Sequence, residues 1–242
     1  MLGILATRRI RCQARAEAAA ARVRDQQQRR FVADVVHDLR TPLASMIAAT
    51  DGLDSPESRD RARSAELLGT QVRRLSTLVE DLLEMSRFDA GAAELRPEVV
   101  DLQALVTDAV TLCAPDTEIA VSRTGYTSVY GDPRRLHTIV RNLVTNALHH
   151  GAPPIAVTVN GQAHQVQVTV ADSGPGLPAE RAPFIFDRFA RGARARQHAE
   201  GSGLGLAIAY ENAVLHGGRI EATSSHGAVF TLTVPRDIPV QG

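Results

Sequence analysis

Val35-Val36-His37-Asp38-Leu39-Arg40-Thr41-Pro42-Leu43 brings a nucleophilic side chain, an acid and a proline together on one amphipathic segment. Around it Val32, Val36, Leu39, Leu43 and Met46 recur at spacings of four, three, four and three, the alternation of a helix packed on partner helices. His37 falls beside that seam and is expected to face solvent. A neutral imidazole near pH 7 has a ring nitrogen free to attack. Asp38 can hold the proton on the other nitrogen and stabilise the cation that forms as the new bond is made. Thr41 lies one helical turn beyond His37 on the same face, where its hydroxyl can orient a water. Pro42 has no N–H for the carbonyl of Asp38, so a bend is expected just past the histidine. By itself a His-Asp pair on a helix is usually a solvated surface pair, and its weight comes from the rest of the chain.

Working outward, Asp51-Gly52-Leu53-Asp54-Ser55-Pro56 carries the residues that end a helix. The first core helix is therefore expected to stop near Thr50 and a second to start near Glu57. Along that second helix Leu68, Val72, Leu75, Val79 and Leu82 repeat the four-three alternation. Two helices alone have little joint core, so the expectation is a dimer closing a four-helix bundle, with a hairpin folded onto a second domain as the alternative. Upstream, about Arg8 to Gln28 is strong in helix propensity and poor in core-forming side chains, which reads as a connecting helix.

The 242 residues suffice for two compact units, and 44% hydrophobic composition allows each a core. Net charge is zero, and all 27 basic residues are arginine, a balance that gives no support to nucleic-acid binding. Cys12 and Cys113 form no C-x-x-C pair and read as free thiols of a reducing, cytoplasmic compartment. No stretch approaches the ~20 apolar residues of a membrane span. Leu2 to Ala6 followed by Arg8, Arg9 and Arg11 fits either the cytoplasmic end of a span or an ordinary helix start.

Past Phe88-Asp89-Ala90-Gly91 the heptads give way to mixed elements, with Gly91 suited to the left-handed position after a helix. Strands are expected near 98–100, 118–122, 128–130, 155–159, 166–170 and 230–234. Asp101 should cap a helix to about Cys113, and Asp132-Pro133 should open one to about His150. That order implies helices on one face of a mixed sheet, an α+β sandwich. On the second of these helices Asn142 and Asn146 are one turn apart, and an amide oxygen there suits magnesium, which takes oxygen ligands and keeps waters. Asp172-Ser173-Gly174-Pro175-Gly176 follows a strand; its glycines let the backbone approach a flat ligand, and the Asp172 carboxylate can accept from an exocyclic amine such as adenine's. Gly201-Ser202-Gly203-Leu204-Gly205-Leu206 precedes an apolar helix and offers backbone N–H groups and the positive helix end to phosphate. Between them Phe184 to Arg191 leads into the polar residues Gly192 to His198, read as a lid hinged by glycines, with Arg188 or Arg191 reaching phosphate oxygens.

These segments resemble, in order, the phosphoacceptor, asparagine and two glycine boxes of sensor histidine kinases, with Phe186 to Arg191 similar to the F box. The resemblance covers about Phe31 to Pro235. It implies a signal-connecting helix over 1–28, a dimerisation and phosphotransfer helical hairpin over 29–90 and a Bergerat-type ATP-binding domain over 91–242. It further implies that His37 is phosphorylated from ATP and passes the phosphoryl to an aspartate of a response-regulator receiver domain. By the same likeness Asn146 is the magnesium ligand, Asn142 its polar partner on the helix and Asp172 the adenine contact. Gly174, Gly176, Gly201, Gly203, Leu204 and Gly205 shape the nucleotide site, and Thr41 serves phosphatase action on the regulator. His149-His150 stands where the family usually has a basic residue and an aromatic, so a phosphate contact from His149 would be weaker than one from Lys or Arg. Two rivals are an ATP-binding pseudokinase that signals through dimer shape and an ATPase with water as acceptor. The second lacks the carboxylate base it would want at Asn142.

Overall fold

The computed structural model describes residues 32–55, 57–180, 182–189 and 203–237. The expected connecting helix, together with Cys12, Arg191 and Gly201, lies outside them. The chain divides into two compact units, one through Thr77 and the other from Leu78.

In the first unit, helix α1 runs through residues 32–53 and α2 begins at Ser58 and continues to Asp89. The helix does not stop at Thr50. Gly52, expected to break it, is helical, and a Cβ there would overlap Ser64 Oγ on α2. Its use is close helix packing, and the chain turns at Asp54 and Ser55 instead. Pro42 is accommodated within α1 and is buried. Within a single chain part of the apolar seam is left in solvent: Val32, Val36 and Leu43 on α1 and Val72 and Val79 on α2 are exposed, as are Ile47, Leu67 and Leu83 beside it.

The last turns of α2 belong to the second unit. The helix ends in a Schellman motif: the Ala92 N–H donates to Arg87 C=O, the Gly91 N–H to Phe88 C=O, and Gly91 sits at φ +61°. Then follow β1 (Glu98–Asp101), α3 (Leu102–Cys113), β2 (Ala120–Thr124), β3 (Ser128–Gly131), α4 (Pro133–His150), β4 (Ala156–Gly161) and β5 (Gln165–Ala171). A 3₁₀ turn (Ala182–Phe184), α5 (Gly205–Leu215), β6 (Arg219–Ser224) and β7 (Ala228–Pro235) complete the fold. β1 and β3 pair antiparallel; the other five strands form a sheet in the order β2-β4-β5-β7-β6, with only β2 and β4 parallel. The expected mixed sheet is therefore present, with β6 as a strand the sequence did not announce.

Both expected N-caps form. Asp101 accepts from the Gln103 N–H and from the Thr127 hydroxyl, and Asp132 accepts from the N–H groups of Arg134 and Arg135 ahead of Pro133. The core packs the inner faces of α3, α4 and α5 on Val157 and Val159 of β4, Val166, Val168 and Val170 of β5, and Phe230, Leu232 and Val234 of β7. Alternate residues such as Thr169 and Thr231 bond across the other face, so the sheet is apolar on one side only. α4 and α5 lie side by side over the core, which puts the C-terminal half of one beside the N-terminus of the other.

Candidate active site

In the first unit His37 is exposed on α1. Thr41 lies one turn on along the same exposed stretch of helix, and its hydroxyl donates to the His37 backbone carbonyl at 3.3 Å. Asp38 is half-buried.

In the second unit α4, the turn after β5 and the start of α5 converge. Asn142 is 9% exposed, and among the described residues its Nδ2 has no hydrogen-bond partner. Leaving such a donor unsatisfied costs ~1–3 kcal/mol, so it is poised for an acceptor from outside the protein. A Cβ on Gly205, the first residue of α5, would stand 3.3 Å from Asn142 Oδ1, tighter than an ordinary contact. The absence of a side chain at Gly205 thus leaves room for the amide. Asn146 is half-buried one turn further along α4.

Asp172 is buried at the end of β5. Its Oδ1 accepts from the Gly174 N–H at 2.8 Å and the Ala228 N–H at 3.3 Å, which leaves Oδ2 for a ligand. Three glycines make the space around it. A Cβ on Gly151 would overlap Asp172 Cγ, one on Gly227 would overlap the Asp172 carbonyl, and one on Gly174 would come within 2.9 Å of Asp172 Oδ1. Gly176 turns at φ +73° beside Ser224. Gly151 and Gly227 line the candidate site and were not singled out from the sequence; Gly151 follows α4 directly as its C-cap residue.

α5 begins after Leu204, which is fully buried and provides no side-chain cap. The first N–H groups of a helix have no intrahelical partner, and the positive helix end favours an anion there. Gly203 has φ +69°, and its carbonyl accepts from the Phe189 N–H at 2.9 Å. Phe189 itself has φ +58°, a costly conformation for a residue with a side chain. Phe186 stacks on Tyr210 at 5.4 Å and meets Phe230 edge-on, anchoring this segment to the core. Arg188 does not extend freely: its guanidinium forks onto the Asp89 carboxylate at the end of α2, with Nη1 to Oδ2 at 2.7 Å. That pairing holds the Asp89 carboxyl below its ordinary range and raises Arg188. His149 and His150 are exposed in the last turn of α4, rings edge to face.

Among the described residues no cluster of three His, Cys, Asp or Glu side chains exists to hold a metal by itself. The donor set fits a hard cation that takes an amide oxygen from Asn146 and the rest of its shell from phosphate and water. A cavity of about 570 Å³ bounded by β1, α3 and the first turns of α4 contains none of these residues. It opens beside Arg134, ~18 Å from Asn146 at 1.5 Å rise per residue.

Among the described residues, a helix without a side-chain cap, an unpaired buried amide and a buried carboxylate beside glycine turns, with three helices over a mixed sheet, have the form of a nucleotide-binding lobe; the preceding hairpin presents a histidine. Residues 131–238 match the family described as histidine kinase-, DNA gyrase B- and HSP90-like ATPase, and residues 27–91 match the His Kinase A (phospho-acceptor) domain. The chain belongs to the sensor histidine kinase family. It is 43% identical over 235 residues to the signal transduction histidine-protein kinase AfsQ2 of Streptomyces coelicolor, covering 88% of this chain and 43% of that one. It is 41% identical over 221 residues to the sensor histidine kinase MtrB of Mycobacterium tuberculosis, covering 86% and 39%. The chain thus spans less than half the length of these curated relatives. Among solved structures, Acinetobacter baumannii histidine kinase AdeS shares the fold at a TM-score of 0.65 and 24% identity, over 83% of this chain and 98% of that one. The catalytic domain of histidine kinase ThkA aligns at 0.52 and 26%, over 60% and 99%.

Proposed function

We propose that this chain phosphorylates His37 from ATP and passes the phosphoryl to an aspartate on a response-regulator receiver domain. The observation that carries the reading is the pairing, in one polypeptide, of a solvent-facing imidazole with a site whose groups match a nucleotide: Asp172 Oδ2 for the adenine amine, the helix N-terminus at Gly205 for phosphate, and Asn142 Nδ2, unpaired among the described residues. Asn146 would hold magnesium, which would supply charge neutralisation at the phosphates. A lone-pair nitrogen of His37 attacks the γ-phosphorus in line, the bond to the bridging oxygen breaks, and ADP leaves with the electron pair. The proton on the other ring nitrogen passes towards Asp38. The protein's task is chiefly positioning and charge stabilisation. The relatives are named sensor kinases, which supports the same assignment.

Further parts of the reading are a homodimer through the exposed apolar seam, phosphatase action on the regulator with Thr41 orienting water, a contact from His149 or Arg191 to phosphate, and placement at the cytoplasmic end of a receptor. Among the described residues no helix is long and apolar enough to cross a membrane. The pseudokinase alternative is not favoured, since its support was only His149.

Purified chain with ATP and Mg²⁺ should gain an acid-labile, alkali-stable phosphate that His37→Gln abolishes while nucleotide binding persists. Label that survives in this variant refutes the assignment.

A further inference from the structure

We propose that Arg135 is a positioning residue for phosphoryl transfer, fastening the last turns of α2 to the two helices that shape the nucleotide site; this rests on the kinase reading above. Arg135 Nη1 donates to Glu84 Oε1 on α2 at 2.5 Å and to Asn212 Oδ1 on α5 at 2.8 Å. Its Nε donates to the carbonyl of Glu94, between α2 and β1, at 3.0 Å. Its guanidinium carbon stands 5.7 Å from the centroid of the Phe88 ring. Glu84 and Phe88 are four apart on α2 and so share a face. Only 14% of the Arg135 side chain and 22% of the Glu84 side chain are exposed. The pair is partly desolvated, and without Arg135 the only ionic partner Glu84 keeps among the described residues is the more exposed Arg87, at 3.3 Å. Asn212 is 1% exposed and its Nδ2 donates to the Ile208 carbonyl at 3.0 Å, which fixes Oδ1 as the atom offered to Arg135.

Arg135 is in the first turn of α4, whereas Asn142 and Asn146 lie two and three turns on. At 1.5 Å per residue, ~16 Å of helix separates it from Asn146, so it does not touch the nucleotide. α5 leaves the site at Gly205 and reaches Arg135 two turns later at Asn212. Both helices are thus tied, away from the ligand, to the helix that follows the phosphoacceptor helix in the chain. A link so placed bears on delivering the phosphoryl group to His37 and leaves capture of ATP alone. Only a planar fork serves these three acceptors and the ring together; an ammonium does not.

The test compares the full chain with Arg135→Gln, Arg135→Lys, Glu84→Gln and the Arg135→Gln/Glu84→Gln double variant. The readouts are ATP·Mg²⁺ affinity by calorimetry, single-turnover labelling of His37 at saturating ATP, and amide hydrogen exchange across residues 78–89. Arg135→Gln should slow labelling at least about tenfold, as loss of charge-assisted hydrogen bonds implies, with affinity within about twofold of wild type. Arg135→Lys should recover only part of the rate. The double variant should be no slower than Arg135→Gln, because both changes break one linkage. A full rate in Arg135→Gln, full recovery by Lys, or an affinity loss that matches the rate loss overturns the proposal. If Arg135→Gln does not fold, Glu84→Gln decides by the same two readouts. Should wild-type chain bind ATP and leave His37 unlabelled, the kinase reading fails by itself. The clamp then stands or falls on exchange, which Arg135→Gln should speed at least about tenfold over 78–89 if Arg135 holds those turns.

Discussion

On the proposed reading Asp172 divides its two oxygens between two tasks: Oδ1 ties the Gly174 and Ala228 amides, and Oδ2 is assigned to the nucleotide. Asp172→Asn can keep the first task while turning a donor towards the adenine amine. It should weaken ATP binding by about 1.5–3 kcal/mol, the worth of a charged hydrogen bond, with a change in unfolding free energy under about 1 kcal/mol. Asp172→Ala should lose both. Calorimetry and denaturant unfolding on the two variants separate the tasks. Gly205→Ala tests the other wall, since its Cβ would press on Asn142 Oδ1 from 3.3 Å; ATP affinity should fall while the unfolding midpoint stays within a few degrees. At this scale the sequence exposed the residues that punctuate it. His37, the asparagines at one-turn spacing and the glycine turns all stand out from their surroundings. Arg135, Gly151 and Gly227 do not, because their partners lie far along the chain and a lone arginine or glycine says nothing of what it meets in space. Arg188 illustrates the same limit, since nothing local links it to Asp89.

Among the elements, α5 shows how a helix end is built into a wider network. Its C-terminus is a second Schellman motif, with Gly218 N–H to Ala213 C=O, Gly217 N–H to Val214 C=O and Gly217 at φ +68°. The cap residue, His216, is fully buried. Its Nδ1 stands 2.7 Å from the Asn212 carbonyl, and its Nε2 accepts from the Asp132 N–H that opens α4. The ring is therefore neutral with the proton on Nδ1, and burial pushes its pKa down. Because the folded value is depressed, the unfolded chain binds the proton first as pH falls. The contribution is complete above the unfolded value of about 6.5 and is lost as pH drops through the folded one. The thermal midpoint should therefore fall below about pH 6.5, and His216→Gln should flatten that slope while lowering the midpoint throughout. Elements with strong signals were legible: capped helices and the alternating strands β4, β5 and β7. β6 was not, because only Ile220 in Arg219–Ser224 is fully buried and Ala222, half-buried two residues on, is too small to mark an alternation. The end of α1 was misjudged because glycine marks a close approach between helices as readily as a break.

For the molecule as a whole, the exposed valines and leucines of α1 and α2 are the feature that one copy does not explain. A run of apolar side chains along both helices is a surface that association covers. Sedimentation of the purified chain should give a dimer, and Val72→Glu should shift it to monomer at micromolar concentration with ATP affinity intact. An unchanged dimer in that variant would place the interface elsewhere.

Because α2 does not end where the nucleotide lobe starts, the lobe has no clean seam at which to be cut free. A fragment begun at Gly91 would discard Glu84, Phe88 and Asp89, leaving two arginines to face water on an unfinished surface; one begun near Leu78 would keep them. The shorter piece should aggregate sooner and melt earlier than the longer, although every residue assigned to the ligand is present in both.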